Sequence, residues 1–141
     1  MKKTILSLFV LLIGFAVAAY GEEKTVMQIK ISTGNAVLTA TMLDNATSRD
    51  FMSLLPLKLT LKDYAGTEKI SDLPRKLSTQ GAPSGSDPSV GDITLYAPWG
   101  NLAIFYKDFG YASGLIILGK IDSGVEKLAQ LNGEVGIERI K

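Results

Sequence analysis

The chain has 141 residues, of which 15 are basic and 14 acidic, and it contains neither histidine nor cysteine. A balance this close to neutral lacks the concentrated basic surface that nucleic acid or an anionic membrane attracts, so neither is an expected partner. Without histidine or cysteine the chain cannot form a Ser-His-Asp triad, a Cys-His dyad or an ordinary zinc site. The sequence therefore assigns no catalytic residue, no metal and no cofactor.

The N-terminal segment has the pattern of a secretory signal. Two lysines precede an apolar run over residues 5–17, and the small residues Ala18 and Ala19 follow that run. The run is shorter than the ~20 residues that a membrane-spanning helix needs. Residues 1–19 are therefore predicted to be a signal peptide, cleaved after Ala18 or Ala19. Residues 20–141 would then be a single exported domain, periplasmic or secreted, without stable membrane insertion.

The start of the predicted mature domain indicates a hairpin followed by a helix. Apolar and polar residues alternate over residues 26–32 and 38–43, around a turn at Gly34-Asn35. Asp44 or Asn45 can then cap a helix, which ends before Pro56. The apolar face of this helix is predicted to consist of Thr47, Phe51, Leu54 and Leu55.

The rest of the chain is mainly β in pattern. Further strands are predicted over residues 57–64, 68–73, 92–96, 102–106 and 115–121, and from Val135 onwards. The Ser-, Gly- and Pro-rich residues 78–91 predict a long loop. Ser123 and Glu126 have the spacing of a capping box, which would begin a short helix through Leu131. We expect a closed or nearly closed barrel of seven or eight strands with a helix at each end, because closure hides strand edges.

The order and spacing of these segments resemble the bacterial cyclophilin-like fold proteins, a group related in fold to the cyclophilins. The matching segments are residues 43–51 with Leu54-Leu55-Pro56, Asp72-Leu73-Pro74, and residues 90–96, 102–106 and 118–122. Together they span roughly residues 27–140. The resemblance implies an eight-stranded barrel with two short capping helices.

The resemblance implies less about activity. Cyclophilins are prolyl isomerases whose groove carries an arginine, several apolar and aromatic side chains, and a histidine. Here Ile104-Phe105-Tyr106 is similar to a groove strand, so Phe105 is the residue best carried over. Neither Arg49 nor Arg75 lies in the arginine's usual strand, and histidine is absent.

Aromatic residues near predicted strand ends and loops are the candidate ligand-binding side chains. They are Phe105, Tyr106, Trp99, Tyr64 and Tyr111. One interpretation is an apolar groove with hydroxyl groups at its margin, suited to an extended peptide or a small ligand. The other places Phe105 in the barrel core and folds Trp99 over a barrel mouth. Acidic residues of the predicted hairpin, such as Glu68, are interpreted as solvated turn charges.

These observations predict an exported cyclophilin-like domain that binds a peptide or a small ligand. One alternative is an unconventional prolyl isomerase that lacks the usual arginine and histidine. Another is a structural or assembly protein of the cell envelope, whose aromatic surface meets a second copy or another envelope protein. The oligomeric state, and whether residues 78–91 close over the site, stay open at this point.

Overall fold

A computed structural model describes Gly14 and residues 26–141. Apart from Gly14, the predicted signal peptide lies outside the described residues, and so do residues 20–25 of the predicted mature domain. None of the helices in the described part of the chain is long and apolar enough to cross a membrane.

The described chain is mainly β. Its strands are β1 (Met27–Ser32), β2 (Val37–Met42), β3 (Leu57–Tyr64), β4 (Glu68–Asp72), β5 (Gly85–Ser86), β6 (Asp92–Tyr96), β7 (Asn101–Phe105), β8 (Ala112–Ser113), β9 (Leu115–Ser123) and β10 (Gly133–Ile140). Eight of them form a closed antiparallel barrel in the order β1-β10-β3-β4-β7-β6-β9-β2, while β5 and β8 pair separately. The predicted eight-stranded barrel is confirmed.

Alternation of side chains builds the barrel interior. On β1 the fully buried Ile29 and Ile31 face Ala40 and Leu38 of β2, while Lys30 between them stays partly exposed. Complete burial of one such aliphatic side chain stabilises the fold by about 1.5–3 kcal/mol. The two-residue period therefore determines which face of each strand turns inward.

Helix α1 (Ala46–Ser53) closes one end of the barrel. Of the two predicted caps, Asn45 is the one used, since its Oδ1 accepts a hydrogen bond from the Ser48 amide at 2.8 Å. The helix lies where β10 ends, because the guanidinium of Arg139 donates to the carbonyl of Met52 at 3.2 Å. Phe51 on its inner face is fully buried in the barrel core.

The second helix is a 3₁₀ helix (Val125–Gln130) that precedes β10 and so lies at the opposite end of the barrel. The predicted capping box is wrong. Ser123 is the last residue of β9, and its hydroxyl hydrogen-bonds to the Thr39 hydroxyl of β2 at 2.7 Å. Gly124 precedes the helix instead, with φ of 86° and no side-chain cap. Because β9 pairs with β2, the Ser123 hydroxyl is already hydrogen-bonded to Thr39 and does not cap the 3₁₀ helix.

The predicted loop over residues 78–91 contains the short strand β5, which the sequence pattern does not predict. Gly85 and Ser86 pair with Ser113 and Ala112 of β8. The Gly114 amide also donates to the carbonyl of Ser84 at 2.8 Å. Two residues are too few to show an alternating pattern, so this element arises from tertiary pairing rather than from local sequence.

A carboxylate on α1 anchors the beginning of that loop. Both terminal nitrogens of Arg75 donate to Asp50, at 2.9 and 2.7 Å, and the Ser78 amide donates at 2.7 Å. The hydrogen bonds from Arg75, followed by that from Ser78, lower the pKa of Asp50 to about 2. Because the folded-state pKa lies below the ordinary value, this network stabilises the fold above about pH 4 and is lost as pH falls towards 2.

We therefore expect Asp50→Asn to lower the free energy of unfolding at pH 7 by about 1 kcal/mol, a value that allows for solvent screening of the half-exposed Arg75. Urea unfolding between pH 7 and pH 2 should show the difference from wild type shrinking below pH 4. Asp44→Asn is the matched control, because Asp44 pairs with Arg49 but is largely exposed. A difference between Asp50→Asn and wild type that does not change with pH would contradict the assignment.

Candidate ligand-binding site

The candidate site lies beside strand β7, whose side chains are buried on both faces of the sheet. Leu102 and Ile104 belong to the barrel core. Ala103 and Phe105 point the other way and pack with Leu115 in a separate cluster on the outer face of the barrel. The interpretation that placed Phe105 in the barrel core is therefore wrong. The outer face of a sheet is normally in contact with solvent. An apolar outer face is therefore expected to be covered by another segment of the chain or by a ligand.

The segment over residues 107–114 supplies part of that cover. It brings the ring of Phe109 to 6.2 Å from the ring of Phe105, measured between centroids. The segment is held by residues 78–91: the Phe109 amide donates to the carbonyl of Pro88 at 3.2 Å, and Asp108 accepts from the Val90 amide at 2.9 Å. The pairing of β5 with β8 fixes the same two segments further along. The predicted long loop thus supports the wall of the site.

A pocket of about 210 Å³ lies between this segment and the tip of the β6–β7 hairpin. Its wall is formed by Tyr64, Glu68, Tyr96, Trp99, Asn101, Phe105, Phe109, Ala112 and Leu115. Three of its five aromatic rings remain substantially exposed: Tyr64 at 43 %, Trp99 at 61 % and Phe109 at 50 %. Exposed rings grouped around a concavity are typical of a binding site.

Trp99 forms one corner of the pocket. Its ring lies edge-to-face with Tyr64 at 5.7 Å and with Tyr96 at 5.2 Å, at interplanar angles of 87° and 82°. The turn between β6 and β7 fixes the backbone at Trp99, because the amides of Trp99 and Gly100 both donate to the carbonyl of Tyr96. Gly100 adopts φ of 70°, a conformation that favours glycine. Trp99 therefore borders the outer-face pocket.

Two polar side chains interrupt the aromatic wall. Glu68 lies at the start of β4, opposite Tyr64 of β3 and Phe105 of β7. Burial, and secondly the negative charge of Asp63, raise the pKa of Glu68. The interpretation of Glu68 as a solvated turn charge is wrong, because its side chain forms part of a largely apolar pocket.

Asn101 is the second polar group, and it is 4 % exposed. Its side-chain amide nitrogen donates to the carbonyl of Leu102 at 3.1 Å. Its Oδ1 accepts no hydrogen bond from any residue that the structure describes. A buried acceptor without a partner costs about 1–3 kcal/mol, and the residues around Asn101 close this oxygen off from solvent.

The structure brings together three of the five predicted site residues, Phe105, Trp99 and Tyr64. Tyr106 and Tyr111 lie outside the pocket wall. Tyr106 follows Phe105, and its hydroxyl donates to Asp63, which raises the pKa of Tyr106 and lowers that of Asp63. Tyr111 is 62 % exposed, and its hydroxyl lies 3.2 Å from that of Ser84.

The wall contains six further residues that are not among the five predicted ones: Glu68, Tyr96, Asn101, Phe109, Ala112 and Leu115. The alternation on β7 holds a usable signal, since it places Asn101 and Ala103 on the same face as Phe105. Glu68 carries no such signal, because only the register of β4 on β7 brings it opposite Phe105.

Positively charged side chains lie elsewhere. Arg75 pairs with Asp50 and Arg49 with Asp44, so neither reaches the pocket. Among residues 26–141, no lysine or arginine lines the pocket wall. The described residues also contain no group of three acidic side chains arranged to hold a metal ion.

A closed eight-stranded antiparallel barrel with a helix at each end is the architecture of a cyclophilin-like barrel protein. The chain matches the model of the Cyclophilin-like family over residues 31–138 and belongs to that family. It is also similar to the solution structure of the hypothetical protein AF2241 from Archaeoglobus fulgidus, with 20 % identity, a TM-score of 0.60, and coverage of 85 % of this chain and 99 % of that chain. At this identity the similarity shows the fold. No curated protein matched the chain.

Proposed function

We propose that this protein is an exported binding module whose outer-face pocket holds one side chain of a peptide or one small ligand. The observation that carries the proposal is the set of exposed rings, Tyr64, Trp99 and Phe109, around a concave space of about 210 Å³. Rings already held by the turn and by residues 78–91 lose little freedom when a ligand enters, which favours binding. Export rests on the N-terminal sequence pattern alone.

Binding accounts for the pocket better than catalysis does. The resemblance to cyclophilins associates isomerase activity with an arginine in the groove, whereas the non-aromatic polar groups of this pocket are a carboxylate and an amide. Prolyl isomerase activity remains the second candidate because Phe105 lies in the pocket wall. Acceleration of a proline-limited refolding reaction, lost in Phe105→Ala, would favour it.

The single tryptophan of the chain provides the test, because Trp99 lies in the pocket wall and its fluorescence reports occupancy. Blocked single amino acids, as N-acetyl N-methylamides, are titrated against the protein. We expect at least one to change the emission saturably, and Phe109→Ala to weaken its affinity about tenfold, since a lost ring contact of ~1.4 kcal/mol corresponds to that factor.

Tyr111→Ala is the matched control, because Tyr111 lies on the same loop and is also an exposed aromatic residue but stands outside the pocket. It should bind the same probe as wild type does. Absence of a saturable response to every probe, or equal weakening in both variants, would overturn the proposal.

A further inference from the structure

The non-aromatic polar side chains of the pocket wall, Glu68 and Asn101, include no basic group. Glu68 presents a carboxylate, which accepts hydrogen bonds, whereas the Oδ1 of Asn101 is an acceptor that its neighbours bury. The Asn101 side chain is held in this orientation because its nitrogen already donates to the Leu102 carbonyl. With no basic side chain in the wall, the pocket disfavours carboxylate and phosphate ligands.

Glu68 also lacks an internal counter-ion. Within the part of the chain that the structure describes, no basic side chain forms an ion pair with it, whereas Asp50 and Asp63 are both paired. Its neighbour Lys69 points to the other side of β4, where its Nζ lies 3.0 Å from Asn132 and 3.4 Å from Asp63. A partly buried carboxylate without a cation is stabilised by a ligand that supplies one.

The aromatic rings favour a positive charge as well. The face of each ring carries partial negative charge, and a cation within about 6 Å of a ring centroid is attracted to it. Trp99 stands nearly at right angles to both Tyr64 and Tyr96, so the ring faces point in different directions around the corner of the pocket. Such arrangements of rings recognise organic ammonium ions.

We infer that the pocket binds a primary ammonium group on an apolar stem, with Glu68 as its counter-ion and the rings of Tyr64, Tyr96 and Trp99 around the charge and stem. A primary ammonium is favoured over a quaternary one because its N–H groups can donate to Glu68. The lysine side chain of a peptide and a free alkylamine share this chemistry. The inference rests on the proposed function and names its ligand class.

The test compares n-butylammonium with 1-butanol, its neutral counterpart, and with tetramethylammonium, a cation without N–H donors. Trp99 fluorescence follows each titration at pH 7. We expect n-butylammonium to bind at least tenfold more tightly than 1-butanol, and more tightly than tetramethylammonium. Equal affinity for n-butylammonium and 1-butanol, or tighter binding of tetramethylammonium, would overturn the inference without needing any variant.

Glu68→Gln preserves the shape of the side chain and removes its charge. We expect it to weaken n-butylammonium binding at least tenfold and to weaken 1-butanol binding by a smaller factor, because the alcohol carries no charge. Glu134→Gln, on the exposed part of β10, is the control for a general charge effect and should bind like wild type. Unchanged affinity in a folded Glu68→Gln protein would also overturn the inference.

Two further outcomes separate this inference from the function on which it rests. If neutral probes bind and Phe109→Ala weakens them while n-butylammonium does not bind, the binding function stands and the ammonium inference fails. If no probe of either kind binds, both fail. Nα-acetyl-lysine N-methylamide then identifies the source: tighter binding than n-butylammonium indicates a peptide side chain, and weaker binding indicates a free amine.

Discussion

Replacement of Phe51 by alanine is expected to lower the free energy of unfolding by about 3–5 kcal/mol, the usual cost of removing a fully buried phenylalanine ring. Phe51 lies on α1, is fully buried, and belongs to the cluster that fills the barrel. Strands of a closed barrel are hydrogen-bonded to neighbours on both sides, so the wall cannot collapse easily into the space that the ring leaves. The cavity should therefore persist and the cost should fall in the upper range.

Urea unfolding followed by far-UV circular dichroism measures this effect. Phe109→Ala is the matched control, because Phe109 is half exposed and its removal should cost less than about 1 kcal/mol. Similar transition midpoints for the Phe51→Ala protein and wild type would show that the ring of Phe51 does not fill the end of the barrel.

Much of the barrel can be predicted from the sequence because each strand carries its own evidence. The alternation around Gly34-Asn35 is enough to predict β1, β2 and the turn between them, since one face of each strand meets a single core. The errors occur where a distant partner decides the local structure. Ser123 has the spacing of a helix cap, yet Thr39 of β2 engages its hydroxyl, and β5 exists only because β8 lies beside it.

The pocket is harder to predict for the same physical reason. Trp99 and Tyr64 can be predicted as site residues because large rings near turns are seldom left without contacts. Phe105 is predicted from the resemblance of its strand to the groove strand of cyclophilins. Tyr106 is suggested because it is an aromatic residue near a strand end, but it follows Phe105 directly, and consecutive strand residues point to opposite faces. In the sequence, Glu68 cannot be distinguished from an ordinary charged residue near a turn. Only the register of β4 on β7 shows that it lies opposite Phe105.

Replacement of Gly119 by alanine is the second change expected to have a large effect. Gly119 of β9 lies between Met42 of β2 and Ile93 of β6. An added Cβ would stand 2.6 Å from the carbonyl oxygen of Thr41 and 2.9 Å from the Cα of Met42, both of them backbone atoms. Backbone atoms of a paired strand cannot move aside as a flexible side chain can, so β2 and β9 would have to separate locally.

That separation should also reach α1. The carbonyl of Leu118, next to Gly119, accepts hydrogen bonds from the Leu43 amide at 2.7 Å and from the Ser48 hydroxyl at 2.9 Å, and these hold the start of the helix against β9. We therefore expect Gly119→Ala to lower the free energy of unfolding by about 3 kcal/mol, the upper end of the usual range for overpacking.

A second strand glycine separates the steric effect from the general effect of adding a methyl group. At Gly136 of β10 an added Cβ would have no neighbouring atom within 4 Å, so alanine there meets open space. Gly136→Ala should change stability by less than about 1 kcal/mol, and any gain would come from the restriction that alanine places on the unfolded chain. Urea transitions of the two variants provide the comparison. Equal destabilisation by Gly119→Ala and Gly136→Ala would contradict this explanation. It would show that the loss of glycine, and not the close approach of β2 to β9, lowers the stability.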